Sequence, residues 1–322
     1  MSGVGDALAI FADTSFWTAA IAFAAPLMFA ALGAMVCGEA GIVFLGIDGA
    51  FTAGALAALL TAYSGEGNWL ALLVAATGGA LIGLAATTLT SPLHLPQRVT
   101  GLAVTLLVSG LCHLLYSKLT AGSNSLEISP FGSIDLSWVS QLLHISTISE
   151  LPYVGIIARA LFHATPPVYL VLVLAFVVSY IINQTPLGLA VRACGQNPRA
   201  VSAQGLSVHG LRVGAGAVGS ALMAIGGGTL ALTGGSVFSL PTASGRGFTA
   251  LVLAMIAGWR TGRSFLAVLA FAMVDAYQLH LHHRLGSSLA LTLSPLLPYL
   301  ILLIVLLATS RSTVRRFPSA VD

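Results

Sequence analysis

Two carboxylates, Glu39 and Asp48, flank the apolar stretch GIVFLGI in a chain where only 7% of residues are charged. A carboxylate at membrane depth is expensive to hold in hydrocarbon, which points to one of three tasks: contact with a polar solute, an ion pair, or a partner for a helix end. Gly38, Gly41, Gly46 and Gly49 around them favour an irregular, closely approached backbone. The competing reading is a hydrated loop between two spans. Asp275, preceded by FLAVLAFAMV, is the one acid in its apolar run and is expected to pair with an arginine, cap a cavity or reach water at an interface. His280, His282 and His283 form HLHH beside Arg284, with no acidic or cysteine partner nearby, so an interfacial turn is expected rather than a metal site. His209 lies in a polar stretch with no catalytic partner in reach by sequence.

Absent motifs narrow the chemistry further. A hydrolase needs a nucleophile activated by a base, and neither GxSxG nor HExxH occurs. A P-loop needs Gly-Lys-Ser/Thr after a glycine-rich run, whereas the sole lysine, Lys118, follows Ser117. Any nucleotide that energises this chain is therefore hydrolysed by another subunit, and no cofactor is expected here. Cys37, Cys112 and Cys194 lie far apart without CxxC or CxxH spacing and read as small apolar fillers.

The elements that position these groups follow from hydropathy. Of 322 residues, 57% are hydrophobic, and 13 basic against 10 acidic residues leave +3. That excludes an ordinary soluble domain, a disordered chain and a nucleic-acid binder, and makes the lipid bilayer the main solvent. Residues 1 to 15 carry Asp6 and Asp13 and no Lys or Arg, unlike a cleavable signal peptide. Apolar runs at 16–37, 42–63, 69–89, 99–116, 167–183, 213–233, 247–259, 264–280 and 293–309 predict an all-α, polytopic transmembrane bundle of about nine spans, with a range of eight to ten. The run at 247–259 is short enough to be a re-entrant or broken helix, and 38–51 is a second candidate. With the N-terminus outside and the C-terminus inside, Arg98, Arg192, Arg199, Arg212, Arg260, Arg263, Arg311, Arg315 and Arg316 face the cytoplasm. Lys118, Arg159, Arg246 and Arg284 then remain outside.

The whole of 1–322 reads as one transmembrane domain, with an external loop region at 117–166 and a cytoplasmic loop at 184–212. Small residues recur every four positions: Gly46, Ala50, Gly54 and Ala58; Ala75, Gly79 and Gly83; Gly216, Ser220, Ala224 and Gly228. On helices each series is a stripe along which backbones approach closely. Phe51-Thr52-Ala53 and Phe248-Thr249-Ala250 form a faint echo, in segments that run oppositely as an inverted repeat requires. Within the inner loop, Thr185-Pro186 ends one span, 187–194 suits a short helix, Gly195-Gln196-Asn197-Pro198 is a turn, and Pro198 opens a second short helix reaching Gly205. Two such helices make a knob that a soluble partner can grip.

At this loop a resemblance emerges. GLAVRACGQNPRAVSAQGLSV resembles the coupling segment of permease subunits in ATP-binding-cassette (ABC) importers, in the branch serving nucleosides and simple sugars such as ribose. GEAGIVFLGIDGAFTAGA, VTGLAVTLLVSGL and GSVFSLPTASGRGFTALVLAMIAGWRTGRSFLAVLAFAMVDAYQL agree in order, so the likeness runs from about residue 38 to 305. LPYVGIIARALF looks most like the nucleoside-type members. The resemblance implies a multi-pass plasma-membrane permease, in a bacterial inner membrane, that works with a second homologous permease, two ABC ATPase subunits and an external solute-binding protein. It places Gly188, Arg192, Gly195, Asn197, Pro198 and Gly205 in the segment that docks onto the ATPase. It places Phe44, Asp48, Phe51, Arg246 and Phe248 along the solute path. Asp48 stands where the family usually has Glu, and Phe44 where it commonly has Asn, which removes an amide. The alternatives are a stand-alone ion-coupled transporter or channel, for which Asp48 and Asp275 are the candidate ion sites, and a membrane-embedded enzyme.

Overall fold

The apolar runs fold as helices in a computed structural model that describes residues 14–90, 96–120, 126–127, 129–132, 160–162, 164–233, 237–238, 240, 243–284, 298–304 and 307. In chain order these are α1 (Thr14–Glu39), α2 (Ile47–Tyr63), α3 (Asn68–Thr90), α4 (Gln97–Leu119), β1 (Leu126–Glu127), α5 (Pro166–Gln184), α6 (Pro186–Gln196), α7 (Pro198–Ala203), α8 (Val208–Thr233), β2 (Val237–Phe238), α9 (Arg246–Ile256) and α10 (Thr261–Arg284). Five of them, α1, α3, α4, α5 and α8, are long and apolar enough to cross a membrane, and α2 and α9 are shorter apolar helices. The expected all-α architecture is present among the described residues, apart from one two-residue pairing of β1 with β2. Residues 298–304 are helical within the run expected at 293–309, the remainder of which lies largely outside the described residues.

Two helices depart from the apolar runs. The second run begins at 42, but α2 starts only at Ile47, because Gly41 takes a left-handed φ of 76° and the chain from 42 to 44 is non-helical. The run at 247–259 yields only the 11 residues of α9, about 16 Å and roughly half a bilayer core. The broken-helix alternative is therefore the geometry found. HLHH is a correction: α10 continues through Arg284, so these histidines sit on a helix rather than in a turn. His280 shares a hydrogen bond of 3.1 Å with Ser15 and packs edge-on to Phe16.

α8 is the hub, and its small residues explain why. Gly33 meets Gly219, Gly226 meets Pro26, and Cys37 donates to the Ala215 carbonyl, so α1 and α8 run antiparallel. Gly79 lies on Ala224 and Ser220, Gly83 on Gly216, and Ala75 beside Gly228, so α3 is also antiparallel to α8. Gly54 of α2 backs onto the Ala224 backbone and Gly227 onto the Phe51 carbonyl. The three ladders thus interlock, gaining dispersion contacts where lipid leaves no hydrophobic drive between helices. Large apolar side chains turn outward on α4 (Leu102, Leu106, Leu107, Leu111) and α5 (Val173, Phe176, Ile181), as contact with acyl chains requires. Of the 117–166 segment, the described part crosses the ends of α3 and α8: Phe131 donates to the Leu232 carbonyl at 3.0 Å and Asn68 to the Ser129 carbonyl at 3.1 Å.

Adjacent glycines on α3 give a matched test, since a side chain at Gly79 would run into α8 while Gly78 faces open space. Gly79→Leu is expected to lower stability by about 1–3 kcal/mol through overpacking, and Gly78→Leu to leave it unchanged or slightly raised. Thermal unfolding midpoints of the two purified variants in detergent check this.

Candidate functional site

Helix α9 begins on Gly245, which takes a left-handed φ of 85° and has no side chain with which to cap the helix. The first N–H groups of a helix need acceptors, and at membrane depth water is not there to supply them. Asp48 of α2 fills that role from across the bundle. Its Oδ1 accepts from the Gly245 amide at 2.9 Å and the Gly247 amide at 3.1 Å. The side chain is buried, with 6% of its surface exposed, and the Gly247 backbone packs directly on that of Asp48. A carboxylate at a helix N-terminus is favoured by both the hydrogen bonds and the macrodipole.

Helix directions set the depth of this junction. The Arg246 guanidinium lies 5.7 Å from the Phe23 ring centroid and the Trp259 ring packs on Gly38, so α9 runs parallel to α1. Because α1 is antiparallel to α8, while α2 joins α3 by a tight turn and so runs with α8, α9 is antiparallel to α2. Their N-termini therefore meet head to head inside the bundle. The two segments of the FTA echo are these two helices, brought together at their starts. On α4, Gly101 and Thr105 face Leu45, and Thr105 donates to the Leu45 carbonyl at 2.8 Å, which puts the start of α2 about 12 Å along α4.

The opposite flank of α9 carries a second pair. Arg246 Nη2 lies 3.8 Å from Asp275 Oδ2, with side chains 21% and 17% exposed. The arginine-partner reading of Asp275 is the one realised. Arg246, expected among the outer basic residues, lies against the Phe23 ring of α1. Phe44 is buried with its ring against Gly46, Phe51 is fully buried with its carbonyl against Gly227, and Phe248 is half-buried beside the junction. Several polar residues around the junction carried no sequence signal beyond their four-residue spacing: Thr105, Ser109 and His113 on α4. Ser109 Oγ lies 3.3 Å from Thr52 Oγ1, and His113 Nε2 lies 3.2 Å from Ser244 Oγ.

The knob forms at the expected place. Thr185 Oγ1 accepts from the Gly188 amide at 3.2 Å and Asn197 Oδ1 from the Ala200 amide at 3.2 Å, with Pro186 and Pro198 each in a first turn. Gly205, with φ of 80°, follows α7. Gly188 allows α6 to lie on the last carbonyls of α5, and Gly195 packs on the backbone of Glu39 and Gly41. The C-terminal end of α6 is thus seated on the chain break that leads to Asp48. Arg192 points inward, its Nε buried and the guanidinium within electrostatic reach of Glu39. Leu187 and Leu189 are outward and exposed. Among the described residues, no cluster of three or more His, Cys, Asp or Glu has the geometry of a metal site.

Comparison with known proteins gives this geometry a context. Residues 17–308 match the family described as "Branched-chain amino acid transport system / permease component". A guanosine ABC transporter permease protein of Bacillus subtilis is 28% identical over 270 residues, 80% of each chain. A nucleoside ABC transporter permease protein of Lactococcus lactis is 25% identical over 258 residues, 78% of each chain. A putative glucose ABC transporter permease protein of Haloferax volcanii is 29% identical over 281 residues, 87% of this chain and 80% of the relative.

The junction separates geometry from charge. Asp48→Asn keeps an oxygen for both amides, whereas Asp48→Ala strands them. Asp48→Ala is expected to lose about 1–3 kcal/mol of stability and Asp48→Asn clearly less, with transport following the same order. Thermal unfolding of both variants beside uptake by the assembled complex reads the two effects.

Proposed function

We propose, on the premise that this chain belongs to the permease-component family of branched-chain amino acid transport systems, that it moves a nucleoside or a simple sugar inward. It is a permease subunit of an ABC importer and a multi-pass membrane protein. The observation that carries the reading is the joint one: a knob capped at both helices and seated on the break between α1 and α2, and a carboxylate junction at the other end of that break. In this reading the chain acts as one unit over 1–322, lies N-out and C-in in a bacterial inner membrane, and has no cofactor of its own. Residues 184–212 meet the ATPase in the cytoplasm and 117–166 face the external solute-binding protein. A second homologous permease completes the pathway.

Coupling follows from contact. When the ATPases close, a rigid displacement of α6 and α7 reaches Gly41 through Gly195, and from there the non-helical segment leads to Asp48. Gly188, Gly195 and the Asn197-Pro198 cap build the knob. Leu187, Leu189 and Arg199 form its outward face, and Arg192 ties it to Glu39. Phe44, Asp48, Phe51, Arg246 and Phe248 belong to the junction or its supports. An ion-coupled carrier gains little from the geometry, since Asp48 is engaged by two amides and Asp275 faces Arg246.

Copurification with an ATPase, a second permease and a solute-binding protein, followed by ATP-dependent uptake in vesicles, tests the reading. Transport by the isolated chain without ATP overturns it. Arg192→Glu sets two carboxylates side by side at the base of the knob. It is expected to leave the bundle folded and the ATPase active while uptake falls about tenfold or more, read as solute moved per ATP hydrolysed. Uptake at the unaltered ratio contradicts the coupling role.

A further inference from the structure

The hydrogen-bond inventory beside the junction does not close on itself. Thr52 has one hydroxyl proton, and it is committed to its own helix, to the Asp48 carbonyl at 2.9 Å or the Gly49 carbonyl at 3.1 Å. In the 3.3 Å contact between Thr52 and Ser109, Ser109 is therefore the donor, and its oxygen keeps unused acceptor capacity. His113 and Ser244 share one bond of 3.2 Å. If Nε2 carries the proton, the Ser244 hydroxyl and Nδ1 remain as donor and acceptor. If Nδ1 carries it, that N–H and the Ser244 oxygen remain. Either tautomer leaves one donor and one acceptor. Asp48 commits Oδ1 to Gly245 and Gly247, and the Phe248 amide also bears on its carboxylate, so the acid is taken up by the start of α9.

These leftovers converge. Ser109 and His113 are one turn apart on α4, Asp48 and Thr52 one turn apart on α2, and Ser244 precedes the glycine whose amide binds Asp48. His113 lies within electrostatic reach of the Asp48 carboxylate. Ser109 and His113 are half-buried and Ser244 is exposed, although α4 is otherwise lined with outward leucines. Polar side chains at such depth with capacity left over are costly unless something else uses it. Two acceptors and a donor, from Ser109 and the His113–Ser244 pair, complement two adjacent hydroxyl groups, each of which donates once and accepts.

We propose that Ser109, His113 and Ser244, beside the Asp48 carboxylate, form a solute subsite that recognises the vicinal hydroxyls of a sugar ring, with His113 as the specificity-determining residue. This rests on the reading above that the cargo is a nucleoside or a simple sugar. The sugar ring is common to both, so the subsite reads the ring whether or not it bears a base. Arg246 and Asp275 lie on the opposite flank of α9 and take no part in it.

The test uses the assembled complex in vesicles at saturating solute, so that delivery by the binding protein is the same for every variant. Guanosine is compared with 2′,3′-dideoxyguanosine, with ribose and glucose as separate arms. The unaltered complex is expected to move the hydroxylated solute about fivefold to tenfold faster, the effect of one or two lost hydrogen bonds. His113→Ala and Ser109→Ala should bring that ratio close to one with the unfolding midpoint unchanged, while His113→Gln, which still offers a donor and an acceptor, should retain part of it. A ratio near one in the unaltered complex overturns the subsite. So does a ratio that the variants leave intact, or an equal fall for both analogues, which would mark His113 as structural. ATP-driven uptake of neither nucleoside nor sugar overturns the proposed cargo and the subsite together. Uptake confined to the guanosine arm or to the sugar arms names the cargo and leaves the hydroxyl comparison to be read on the solute that is moved.

Discussion

A helix that starts inside a membrane bundle exposes N–H groups that neither lipid nor its own turns can satisfy, and this constraint organises the structure. α9 begins there on a glycine that cannot cap it, and the Asp48 carboxylate, nearly two hundred residues earlier in the chain, supplies the acceptor. Placing a carboxylate at that depth in turn requires the first helix to stop at Glu39 and the second to start late, at Ile47. Gly41, with its left-handed backbone, makes that break. The polar junction, the short helix and the non-helical segment are thus one feature, since none is tolerable without the other two.

The hub helix holds the junction in place without polar glue. α8 carries small residues on several faces, and α1, α2 and α3 each press backbone against it. Such contacts tolerate little movement across the packed faces, so displacement is left to the parts that are not locked by the ladders: the knob of α6 and α7, the segment from Gly41 to Gly46, and α9. These touch in sequence, through Gly195 on Gly41 and Asp48 on Gly247, and Trp259 at the far end of α9 returns to Gly38. A push on the knob therefore has a contiguous route to the junction and back.

Much of this was legible in the sequence because the physics is local. Thr185-Pro186 and Asn197-Pro198 each combine a capping side chain with a proline at the first helical turn, and both caps form. The four-residue ladders identified which faces touch. The acids near GIVFLGI stood out against their apolar surroundings, with a hydrated loop as the competing reading, and for Asp275 an arginine partner was one of three readings. What was not legible depends on contacts between distant segments. Nothing near Gly245 in the sequence says that Asp48 will cap it, or that Arg246 will lie between Phe23 and Asp275. The three-residue FTA echo is too short to weigh alone; it gains meaning only once the two helix starts are seen to meet. His113 and Ser109 were missed because single polar residues on an apolar helix look ordinary until their neighbours are known.

Hydrogen–deuterium exchange of the backbone amides of residues 245–249, compared between the unaltered protein and Asp48→Ala, tests the central constraint most directly. If the Asp48 carboxylate completes the start of α9, these amides exchange slowly in the unaltered protein and much faster in the variant, while the amides in the middle of α8 stay protected in both. Equal exchange at residues 245–249 in the two proteins would show that the half-helix is held by something other than Asp48.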